Sequence, residues 1–111
     1  MPAVRIDAYK SVAFGSITNS YTAVGTPVAH NWRILVFVNN TNGDLKISAD
    51  GTTDNLFIPA NSFKLFDFTT NSDQDAQEAL VVGLQTQFYV KYSTAPTSGA
   101  LYIEGLYAKG Q

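Results

Sequence analysis

The chain has 111 residues, 45% apolar, 13% aromatic and only 14% charged, with one His, no Cys and a formal charge of -2. Lack of Cys excludes a disulfide framework, a thiolate zinc site and a cysteine nucleophile. The slight negative charge argues against nucleic acid or an anionic membrane as partner, since both want a basic face.

The length fits one domain, 1–111, large enough for a single core. Its first residues, Met1 to Asp7, have no basic stretch followed by an apolar run, so no secretory leader is expected and synthesis in a host cytoplasm is. Val4 and Ile6 alternate with Arg5 and Asp7, which predicts a first strand that could add to a partner's sheet edge. Phe14 to Pro27 (FGSITNSYTAVGTP) is rich in Gly, Ser and Thr, with Phe14, Ile17, Tyr21 and Val24 scattered through it. This segment fits either an extended arm within 1–27 or an ordinary pair of strands.

Trp32 to Val38 (WRILVFV) is apolar on both faces beyond Arg33. Such a strand is either covered on both sides or has an outer face that meets another chain. At five residues, the apolar block Ile34 to Val38 is far short of the roughly 20 a membrane helix needs. Asn39 to Gly43 then reads as a tight hairpin turn, because Asn-Gly tolerates positive φ. Leu45, Ile47 and Ala49 alternate with polar residues. Asp50-Gly51 opens a turn to a short strand around Leu56 to Ile58, and Pro59-Ala60-Asn61 turns the chain into Phe63 to Phe68. Asp73 to Leu80 has the propensity for one or two helical turns. Phe88, Val90 and Tyr92 share a dry face, and Thr94 to Gly99 separates that strand from Leu101–Tyr107 in what reads as a final hairpin. About eight short strands at such spacing predict an all-β, two-sheet antiparallel sandwich, with jelly roll the preferred topology.

Catalytic signatures are sparse. His30, the lone imidazole, reads as a turn or strand-edge residue. Asp50/Asp54 and Asp73/Asp75/Glu78 lie in turn-forming stretches where Asp ordinarily accepts local backbone hydrogen bonds. The oxygen-rich loops lack EF-hand spacing. No enzyme activity, cofactor, metal or small-molecule substrate is therefore expected. Tyr89 and Tyr102 fall opposite the dry faces of their strands, where tyrosine can anchor a protein interface or stack on a sugar.

The stretches RIDAYKSVAFGSIT, VNNTNGDLKISADGTTDNLFIPANSFKLFDFTTN and FYVKYSTAPTSGALYIEGLYAKG together resemble small virion proteins of tailed bacteriophages. In length and layout they resemble the cement, or staple, proteins of short-tailed phages of the epsilon-fifteen type. That resemblance implies a non-enzymatic jelly roll on the outer capsid surface. It would pair with a second copy as a homodimer and clamp adjacent major capsid protein subunits against the pressure of packaged DNA. Residue pattern alone proposes the interface: Val4, Ile6, Tyr9, Phe14, Ile17, Tyr21, Trp32, Arg33, Leu35, Phe37, Tyr89 and Tyr102. A head–tail junction or tail protein is the alternative, followed by a carbohydrate-binding sandwich with stacked Tyr and Trp32.

Overall fold

The computed structural model describes residues 4–67 and 85–108. Nine strands occur there: β1 (Val4–Ile6), β2 (Lys10–Ala13), β3 (Thr22–Ala23), β4 (Trp32–Thr41), β5 (Leu45–Ser48), β6 (Leu56–Ile58), β7 (Ser62–Asp67), β8 (Tyr89–Tyr92) and β9 (Gly99–Ala108). A single 3-10 turn, Phe14–Ser16, follows β2. The helical turns expected at Asp73 to Leu80 lie outside the described residues.

All pairing is antiparallel, in two sheets. Sheet A runs β1-β9-β4-β7, with β2 also on β9, and sheet B runs β3-β8-β5-β6. From β2 onward the chain changes sheet at every connection except β5–β6. Eight strands woven between two sheets in this way form a jelly roll, the topology preferred from the sequence. The Asp50-Gly51 turn joins β5 to its partner β6 as expected, with Gly51 at φ 83.

Two expected hairpins are corrected. β4 and β5 lie in different sheets, as do β8 and β9. The stretch Asn39 to Gly43 is a corner, because Asn39 is buried and its amide is consumed there. Its Nδ2 donates to the carbonyls of Gly43, Ile58 and Pro59 at 2.9, 3.0 and 3.0 Å. Its Oδ1 accepts from the Thr41 backbone N–H and hydroxyl. A buried amide that meets all its partners locks one backbone path. Gly43 is needed for closeness, since a Cβ there would strike the Thr94 carbonyl and the Pro96 backbone. Thr94 to Gly99 likewise crosses between sheets and ties back to the first corner through Asn42 and Thr97, side chain to side chain at 2.6 Å.

Between the sheets lie Trp32, Phe37, Leu45, Ile47, Ile58, Val90, Leu101 and Ile103, all almost fully buried. Phe37 meets Phe88 edge-on at 5.4 Å and Phe66 edge-on at 6.3 Å, geometries that favour ring quadrupoles. Gly105 sits mid-strand in β9 because the Trp32 ring occupies the space a Cβ would need. Within the segment 14–27, Ile17 and Val24 belong to this core.

Candidate functional site

A two-sheet sandwich has two outer faces, and strand register decides which residues reach each of them. In sheet A, Ile34, Val36 and Val38 of β4 stand opposite Asp67, Leu65 and Phe63 of β7. On the other side they stand opposite Leu106, Glu104 and Tyr102 of β9. Beyond β9, Ile6 pairs with Leu106 and Ser11 with Tyr102. Tyr9 completes the row, its ring set edge-on to Tyr102 at 5.8 Å. The core uses the alternate residues of these strands, so this set faces away from it.

The result is a broad apolar outer face. Ile6 is 78% exposed, Phe63 65%, Tyr9 64% and Leu65 55%. Ile34, Val36, Val38, Tyr102 and Leu106 fill the middle half-buried. The apolar rows run from Ile34 to Val38, about 17 Å of β4, and four strand positions with side-chain overhang span about 20 Å, a footprint of roughly 350 Å². Largest patches on ordinary monomers reach about 300–600 Å² and often serve a function. Glu104 is the exposed carboxylate near the middle, opposite Val36.

The outer face of sheet B has another character. Lys46 pairs with Lys91, and Asp54 answers both cations at 3.6 and 3.3 Å. The Tyr21 hydroxyl donates to Asp54 Oδ1 at 2.5 Å, and Lys91 Nζ lies 4.6 Å from the Tyr21 ring centre. Desolvation and the hydrogen bond to Asp54 push the Tyr21 phenol above its ordinary pKa. The same hydrogen bond, together with Lys91, holds the Asp54 carboxyl below its own. In the β5–β6 turn, Asp50 accepts from the Thr53 and Thr52 N–H groups and the Ser48 hydroxyl, which lower its pKa. Asp50 is thus an acceptor within its own turn.

A third cluster fastens β1. Asp7 Oδ2 accepts from Trp32 Nε1 at 2.9 Å and lies 3.3 Å from His30 Nδ1. The His30 ring stacks on Tyr107 with centroids 3.8 Å apart, so His30 packs against a strand at the sandwich wall. Partial burial raises the Asp7 pKa, but the bonds from Trp32, His30 and Ala8 outweigh it and hold the carboxyl below its ordinary value. Among the described residues, no three His, Cys, Asp or Glu side chains converge as a metal site would require.

The twelve residues singled out from sequence divide accordingly. Ile6, Tyr9 and Tyr102 lie on the outer face of sheet A, and Val4 stands in the same strand as Ile6, opposite Ala108. Tyr21 and Tyr89 lie on the outer side of sheet B, so Tyr89 and Tyr102 form no common stacking platform. Phe14 is exposed in the 3-10 turn, and Arg33 is half-buried. Ile17, Trp32, Leu35 and Phe37 are corrected: all four are core residues. A β-bulge between Trp32 and Ile34 shifts the parity, placing Trp32 on the same side as Leu35 and Phe37. The surplus apolar face of β4 is therefore Ile34, Val36 and Val38. Phe63 and Leu65 were missed, although their alternation with Lys64 was visible.

No protein-family model matches the chain, and no curated protein does. Among solved structures, the chain is similar to the crystal structure of SPP1 Dit (gp 19.1), described as a paradigm of the hub adsorption apparatus in phages that infect Gram-positive hosts. That likeness has TM-score 0.42 and 12% identity, and covers 94% of this chain and 49% of that one. This chain therefore spans about half the length of that protein, and a similarity so distant carries no functional argument.

Proposed function

We propose that this chain is a non-enzymatic structural protein of a phage virion, attached by the outer face of sheet A to neighbouring polypeptide. In its specific form, the reading is a staple on the outside of the head that holds adjacent major capsid protein subunits together. The observation that carries it is the broad apolar face built by Ile6 of β1, Tyr9 and the outward residues of β9, β4 and β7. Left in water, a face of that size and composition invites association. The sequence resemblance to phage cement proteins supports the choice of partner.

A clamp against outward pressure needs contact area and does not need chemistry. The apolar rows supply roughly 350 Å², so a standard interface of ~800 Å² per partner would also take in the polar rim around them. Tyr9 and Phe63 supply projecting aromatic anchors of the kind enriched at interfaces, and Leu65 adds apolar area. Repetition over a lattice multiplies a modest single contact wherever geometry lets several engage at once.

Co-sedimentation with empty shells of the encoding phage, followed by copy counting, tests this. Saturable binding at a copy number commensurate with shell subunits is expected. No binding would reject the reading, and occupancy limited to one ring at the neck or tail would move the protein there.

A further inference from the structure

Granted that sheet A's outer face is a docking surface, we infer that its occupant is a different polypeptide whose apolar patch presents an arginine or lysine to Glu104. It is not the surface through which two copies of this chain pair.

Charge at the centre of the face decides between occupants. Glu104 lies on β9 opposite Val36, halfway along both central strands. Its carboxylate makes no hydrogen bond or ion pair with any described residue, and it stands opposite Val36 between Tyr102 and Leu106 of its own strand. Covering the face removes water from this carboxylate, which is costly unless a cation arrives with the cover. A second copy seated centrally by a two-fold axis would bring Glu104 against Glu104. Arg33 offers no ready escape. It sits about 10 Å away along β4, by three residues of strand rise, and already has an interaction of its own. A copy slid by that distance would leave about half of the apolar face uncovered. Residues 68–84 of the chain itself contain Asp73, Asp75 and Glu78 and no Lys or Arg, so they do not supply the counter-charge. Apolar area with one central acid is complementary to apolar area with one central base.

The test combines sedimentation velocity of the full chain at neutral pH with binding to empty shells of the encoding phage. It uses wild type, Glu104→Gln, Glu104→Lys and Leu65→Glu. Glu104 is exposed, so its variants should melt like wild type, and this is checked first. Expected are shell binding about thirtyfold weaker or worse in both Glu104 variants and new self-association of Glu104→Gln that Leu65→Glu abolishes. Full-strength shell binding by Glu104→Lys would overturn the inference and leave the stapling reading standing. A wild-type dimer broken by Leu65→Glu would also overturn it. If wild type binds no shells, the stapling reading falls alone, and the self-association arm still decides the inference.

Discussion

The outer faces of the two sheets, made by one chain on the same two-residue period, differ in nearly everything that meets water. Sheet B shows Lys46 and Lys91 bridged by Asp54, which also accepts from the Tyr21 hydroxyl, with exposed Phe57 opposite Lys46. Sheet A shows Ile6, Tyr9, Phe63 and Leu65, with Glu104 in their midst. The inner faces are equally apolar, so the fold's requirement is met without reference to the outside. Nothing in jelly-roll packing asks sheet A to be apolar twice over. Outward positions can turn polar at little cost to folding, whereas keeping them apolar risks aggregation. Lys64 fits that risk: its register partner Phe37 faces the core, yet Lys64 is exposed on the edge strand β7, where an inward-placed lysine discourages further strand pairing. The difference teaches that sheet B's outer charges are answered by its own side chains, whereas on the proposed reading sheet A's apolar face is completed by a partner.

The largest expected effect breaks the comparison directly. Replacing Phe63 and Leu65 together by Ser should weaken shell binding at least about a hundredfold while barely moving the melting temperature. The matching change Phe57→Ser on sheet B should leave binding within about twofold. Comparable losses from both faces would erase the distinction.

Next comes the fastening of β1, which carries Ile6 onto the apolar face. Asp7→Ala leaves the buried Trp32 indole N–H without its acceptor and should cost about 1–3 kcal/mol, read by chemical denaturation. Folding lowers the Asp7 pKa, so its stabilisation is complete above the ordinary 3.8 and fades as pH falls below it. Wild type should therefore lose part of its advantage over Asp7→Ala on acidification through that range. A gap between the two that holds constant down to strong acid would contradict this role.

The smallest effect belongs to sheet B. Asp54→Asn removes the negative charge that opposes ionisation of Tyr21. An ultraviolet phenolate titration should show one tyrosine ionising later than the rest in wild type and earlier in the variant. Shell binding should not change.

Sequence pattern was a good guide wherever one residue's neighbours decide its state. Leu45, Ile47 and Val90 fell on the dry faces their alternation implied, and the weaving of eight short strands fitted the jelly roll. It misled where a distant contact overrides the local rule. Asn39 to Gly43 has hairpin chemistry, yet Asn39's bonds to Ile58 and Pro59 turn the chain into the other sheet. The bulge between Trp32 and Ile34 puts Trp32 inside with Leu35 and Phe37, and which of the two apolar faces of WRILVFV met the other sheet was set by strands far away in sequence. The existence of a surplus apolar face was legible in WRILVFV. Which residues made it, and that Phe63 and Leu65 extend it, depended on register across strands far apart in sequence.

Hydroxyl-radical labelling of the protein, free and attached to shells, tests the central claim most directly. Ile6, Tyr9, Phe63 and Leu65 should be strongly labelled alone and protected on the particle, while Phe57 and Tyr89 stay equally reactive in both states. Protection confined to sheet B, or none anywhere on a saturated particle, would contradict the account.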